Sequence, residues 1–186
     1  MTTKQFNKLS KARKAVLVAE DVLLQIKAKK YVPKTDKYIA IIGEYFYTRE
    51  LNSRDIKTNF DIIPPCQVCA LGSMLLSCTH LGNLLTFDDI IINGSGMRDI
   101  NNDNVKKLFK SIFDDKTLTL IETCFENTEK FNTIGIDNFG KDVLDVELSE
   151  EELQKCYIFY SKYKTDQTRL IGICNNIIKN NGVFIP

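Results

Sequence analysis

Among its 186 residues the chain has one histidine, His80, and no tryptophan. No apolar run approaches the ~18 residues of a membrane-spanning helix. The shortage of histidine limits the chemistry most. Any Ser/His/Asp or Cys/His nucleophile pair would have to use His80 as its base. There is no Gly-Lys-Ser/Thr, and no third glycine at dinucleotide-binding spacing, so neither phosphate fingerprint is met. No second Cys-x-x-Cys exists, and no acidic pair is arranged as in a two-carboxylate hydrolase. Asp88-Asp89 and Asp114-Asp115 read as caps and turns. Internal repeats, low-complexity segments and linkers are also missing.

The formal net charge is only +1, so nothing pushes the whole chain toward nucleic acid or membrane. Locally the charge is uneven. Residues 1–37 carry ten basic and three acidic side chains, and residues 114–152 carry twelve acidic and three basic. Two solvated faces that attract each other within the fold are the plain expectation. The sharper one is a basic surface for an anionic partner. The N-terminal MTTKQFNKLSKARKAV is polar and basic and does not read as a secretory signal. A cytoplasmic, reducing setting is therefore expected, with the six cysteines as free thiols.

A mainly α, α-rich α+β protein is predicted: one domain over 1–186, with five or six helices. Leu9, Ala12, Val16, Ala19, Leu23 and Ile26 repeat at helical spacing and predict a first helix from about Lys4 to Lys29. Packing on the core is its expected role, with self-association as the alternative. The β-branched and aromatic texture near 38–47 predicts a minor β element. After Pro64-Pro65 the chain is apolar on nearly every side, which predicts a buried central helix over about 66–81. Asn102 or Asp103, Asp114-Asp115, Ser149 with Glu152, and Thr165 or Asp166 each announce a helix start. Leu153, Cys156, Tyr160 and Tyr163 are expected to line one face of the third of these helices. Asn181-Gly182 ends the last one, and Val183-Phe184-Ile185-Pro186 reads as a docking tail.

The stretch Pro64 to His80 holds three of the six cysteines and the histidine. Cys66-x-x-Cys69 is a legitimate half-site for zinc, with Cys78 and His80 to complete it. On one helix, however, Cys69 and Cys78 stand ~13 Å apart along the axis, too far to share an ion. A thioredoxin-like use of the pair would need a βαβ frame that is not evident. The cysteines therefore read as small buried hydrophobes, with no metal and no cofactor. Asn93-Gly94-Ser95-Gly96 follows an apolar run and precedes a helix; it reads as a turn, with a phosphate cradle as the functional alternative.

Two blocks carry a resemblance. Cys66-Gln67-Val68-Cys69-Ala70-Leu71-Gly72-Ser73 and the ending Arg169-Leu170-Ile171-x-Ile173-x-Asn175-Asn176-Ile177-Ile178-x-Asn180-x-Gly182-x-Phe184-x-Pro186 resemble a group of small phage and prophage proteins. In that group a basic helix similar to KAVLVAEDVLLQIKAKK comes first. The likeness covers about a third of the chain and little of residues 83–165. It implies a viral context, a host-cell cytoplasm and a small accessory protein, and carries over no catalytic residue. A non-enzymatic protein that binds a host factor or sequesters a small nucleotide immune signal is the leading expectation. Its candidate contacts are Arg13, Lys14, Lys27, Lys29 and Lys30, with the Gly94, Ser95 and Gly96 turn. One alternative is a hydrolase or transferase centred on Cys69 or His80, which requires both side chains in one open pocket. The other, less favoured, is a DNA-binding protein using the basic first helix.

Overall fold

Ser10 splits the first periodic segment. Its hydroxyl accepts from the Arg13 N–H at 3.3 Å and its backbone is extended, so one helix stops before it and another starts after it. The computed structural model describes residues 2–35, 39–41, 65–82, 103–126 and 146–186. Helix α1 (Thr3–Asn7) is capped by Thr2 and Gln5 in a reciprocal box. The break lets α1 turn so that Phe6 is fully buried against the core. Helix α2 (Lys11–Lys27) buries Ala15, Val18 and Val22 beside the expected Val16, Ala19 and Ile26; Ala12 is exposed, and Leu9 and Leu23 are only half-buried.

α2 ends without a glycine. Lys29 takes the left-handed conformation (φ 59°), its N–H reaches the Ile26 carbonyl, and the Lys30 N–H reaches that of Gln25. These are the two crossed bonds of a Schellman ending. The chain then enters β1 (Tyr31–Pro33). With β2 (Ile39–Ile41) and β3 (Cys66–Val68) it forms a three-stranded sheet in the order β1-β3-β2. β3 pairs parallel with β1, Tyr31 opposite Cys66, and antiparallel with β2, Ile39 opposite Val68. β2 lies within the expected β element; the rest of 38–47 falls outside the described residues.

The central helix needs a correction. Cys66–Val68 is the middle strand, and α3 runs Ala70–Gly82. A continuous apolar run fits a strand buried between two neighbours as well as it fits a buried helix, so periodicity could not separate them. Cys69 makes the switch: its sulfur accepts from the Gly72 N–H at 3.4 Å and caps α3. Every residue from Ala70 to Thr79 is buried. The buried hydroxyls of Ser73 and Thr79 donate to the Ala70 and Leu75 carbonyls within the helix, so their burial leaves no lost bond.

Helices α4 (Asp103–Lys110), α5 (Asp115–Glu126), α6 (Glu150–Lys162) and α7 (Asp166–Lys179) complete seven among the described residues, against five or six expected, because the first segment is two helices. Asp114 accepts from the Thr117 N–H at 2.7 Å at the start of α5. Ser149 with Glu152 and Thr165 with Thr168 cap α6 and α7. α6 packs through Cys156 and Phe159, with Tyr160 and Tyr163 half-buried; of the expected face only Leu153 departs, at 39 % exposed. α7 closes the core over α2, α5 and β1 with Leu170, Ile173, Cys174 and Ile177. The buried side chains form one cluster, from Phe6 to Phe184. The protein is mainly α with a minor β element, and no described helix is long and apolar enough to cross a membrane.

Candidate functional site

All six thiols are buried. Burial pushes the Cys66 thiol up to about 12, and raises those of Cys69, Cys78 and Cys174 as well. Cys66 lies in a strand, Cys69 caps a helix and Cys78 is packed in the core. Among the described residues no three His, Cys, Asp or Glu side chains gather as a metal would require. The reading of a site shared by Cys69 and His80 fails on its own criterion, because Cys69 is buried, 3 % exposed.

His80 sits in the last turn of α3. Its Nδ1 lies 3.0 Å from Asp21 Oδ1 on α2, which also accepts from Gln25 Nε2 at 3.2 Å. Asp21 is buried, while the imidazole is about a third exposed. The sequence offered a weak cue to Asp21: it falls beside Val18 and Val22 on the inward face of α2, where a carboxylate requires a partner. The pair ties α2 to α3 and fixes the imidazole's orientation. No reactive thiol accompanies it, since burial and then the Asp21 charge raise Cys78.

The basic residues behave differently. Lys4, Lys8, Lys11, Arg13, Lys14, Lys27, Lys29 and Lys34 form no ion pair with any described residue. Three residues of the acidic segment pair with its own basic side chains or its neighbours' instead: Asp115 with Lys110, Glu152 with Lys116 and Glu151 with Lys155. The expected attraction between a basic N-terminal face and the acidic segment is thus not seen among the described residues.

The structure divides the candidate contacts. Arg13 is exposed and Lys14 half-buried in the first turn of α2; Lys27 and Lys29 are exposed and Lys30 half-buried around its end. The fourteen-residue step from Arg13 to Lys27 separates the groups by ~21 Å along the axis. The helix dipole favours anions at the first group, whereas at the second it favours the lysines themselves. Gly94, Ser95 and Gly96 lie outside the described residues. Between the groups, Arg13, Leu17, Glu20, Leu24 and Lys27 repeat at spacings of four and three and so share one stripe. Leu24 is 62 % exposed on it. This surface alternates cation, leucine, acid, leucine and cation.

The ending from Asn176 to Pro186 has a structural role. Asn176 donates to the Ile185 carbonyl at 2.6 Å and accepts from the Ile185 N–H at 2.9 Å, clamping the tail as a neighbouring strand would. Asn180 donates to Asn176 at 2.9 Å. Gly182, at φ 96°, lies so close to α2 that a Cβ would meet the Ala12 carbonyl oxygen at 2.3 Å. Phe184 is buried edge-on against Phe159. The chain matches no protein-family model, no curated protein and no solved structure.

Proposed function

We propose that this is a non-enzymatic accessory protein, in the phage setting implied by the resemblance, and that its outer α2 face binds a host protein with an acidic surface. The observation that carries this reading is the exposed Leu24 on one helix stripe with Arg13 and Lys27, neither of which pairs with an acidic group among the described residues. An exposed apolar anchor rimmed by charge suits a protein partner: the leucine supplies buried area, and the cations steer and select. A small nucleotide signal would reach only one of two groups ~21 Å apart. A duplex would set its phosphates against Glu20 and the leucines, where they gain nothing.

The test is recovery of a defined partner from host lysate by the tagged protein. Capture should weaken as salt rises, and both Leu24→Glu and Lys27→Glu should reduce it at least ~10-fold, since ~1.4 kcal/mol at an anchor is tenfold. A partner indifferent to both substitutions overturns the reading. So does calorimetry showing micromolar binding of a cyclic nucleotide or an ADP-ribose derivative, which would favour signal sequestration. Retention on duplex DNA that persists in Lys27→Glu would equally displace it.

A further inference from the structure

α6 lies against α5 through a narrow stripe in which Cys156 and Phe159 are the buried side chains. Three large apolar groups stay on its outside: Leu153 at 39 %, Tyr157 at 45 % and Ile158 at 59 % exposed. No other described helix exposes more than one such side chain. Leu153, Tyr157 and Ser161 recur at a spacing of four and so form one row down α6. Glu150 begins this row one turn before Leu153, and Ile158 borders it beside Tyr157. Lys164 follows just past the Tyr163 cap, and Glu150, Ser161 and Lys164 are all exposed. The other two carboxylates of the first turn are engaged, Glu151 by Lys155 and Glu152 by Lys116. Glu150 and Lys164 form no ion pair with any described residue. The row is thus apolar in the middle, with a carboxylate at one end and an ammonium at the other.

We propose that this row is the seam of a homodimer, in which a second copy of the chain lays its own α6 antiparallel along the first about a two-fold axis near Tyr157. The order of the row is the one a two-fold axis requires. Tyr157 stands midway in sequence between Glu150 and Lys164, and midway between Leu153 and Ser161. Rotation about it brings Glu150 of each copy to Lys164 of the other. It also sets each Leu153 over the other copy's Ser161, whose small side chain makes room. The two Tyr157 rings meet at the axis, flanked by Ile158. A parallel pairing would instead oppose Glu150 to Glu150 and Lys164 to Lys164. Leucine and tyrosine supply the apolar area and the end charges fix the direction. A single helix face of about four turns buries less than the ~1,200 Å² of a stable interface, so the pair is weak and exchanges rapidly. The surface is on a different helix from the α2 stripe, and the inference does not rest on that reading.

Sedimentation velocity of the full chain, from about 10 µM to about 1 mM, should show a monomer passing into a dimer. Tyr157→Glu places two carboxylates against each other at the axis and should leave the protein monomeric throughout. Tyr157→Ala replaces it if the glutamate variant does not fold, and should weaken the dimer at least ~10-fold. Glu150→Lys and Lys164→Glu each bring like charges together twice in the dimer, and each should weaken it about 3–10-fold. The two combined restore opposite charges across the seam and should recover most of that loss. Glu150 and Lys164 of one copy stand at opposite ends of α6, so the recovery cannot arise within a single chain. Lys27→Glu, on the α2 stripe, should leave the dimer unchanged. A protein that stays monomeric at the highest concentration overturns the proposal. So does a dimer indifferent to the Tyr157 variants, a double charge reversal no better than the single ones, or a dimer lost in Lys27→Glu.

Discussion

Arg169 is 3 % exposed, and its guanidinium donates to the Phe125 carbonyl at 2.9 Å, Asp166 Oδ1 at 3.1 Å and the Tyr163 carbonyl at 3.3 Å. Its Cζ also lies 3.8 Å from the Tyr160 ring centroid. It thereby joins the end of α5, the α6–α7 turn and the start of α7. Arg169→Ala should cost about 3 kcal/mol, because it strands two carbonyls and removes the Asp166 partner as well as losing the stacked plane. Arg169→Lys should recover little of this, since an ammonium offers no fork and no flat face. Urea unfolding of the three proteins checks both statements. The Asp21–His80 pair follows the same logic: a buried carboxylate is tolerated because a neighbouring helix answers it.

At the scale of the element, helix ends are set by side chains that serve twice. Glu152 accepts from Lys116 at 2.6 Å and from the Ser149 backbone N–H at 3.0 Å, so it both completes the α6 cap and ties α6 to α5. The Lys116 bond first, and the Ser149 N–H next, lower its carboxyl to about 2. The unfolded value is ~4.3. A folded value below the unfolded one means the contribution is fully present above ~4.3 and is lost as pH falls toward 2. The melting-temperature gap between the wild type and Glu152→Gln should therefore be constant near neutral pH and shrink as the pH is lowered through this window. A gap that stays constant to pH ~2.5 would show that the carboxylate makes no such contribution.

At the scale of the whole molecule, the last residues bind the architecture together. The tail touches α2 through Gly182, α7 through Asn176 and α6 through Phe184. These three helices come from opposite ends of the chain, so the tail closes the core rather than decorating it. Phe184→Ala should cost about 3 kcal/mol from the lost ring and the cavity it leaves. The measurement is the urea midpoint, with capture of the host partner unchanged under native conditions. This separates the tail, which holds the fold, from the α2 stripe proposed to bind a partner.

Much of this was legible in the chain before folding. Local rules determined the helix starts at Ser149 and Thr165, the Asn181-Gly182 ending, the inward face of α7 and part of that of α2, because caps and amphipathic spacing act within one or two turns. Composition determined that the cysteines would be buried hydrophobes. The Cys66–Val68 strand was not legible, since only its two partner strands distinguish a buried strand from the first turn of a buried helix. The break at Ser10 was also hidden: serine tolerates a helix interior, and the core position of Phe6 selects the cap. Only tertiary packing brought Asp21 to His80 and Arg169 to the Phe125 carbonyl. It also left Lys11, Arg13, Lys14 and Lys27 of α2 with no ion pair to any described residue. Each of these depends on which faces meet across a long stretch of sequence, and hydrophobic burial chooses those faces before any polar group finds its partner.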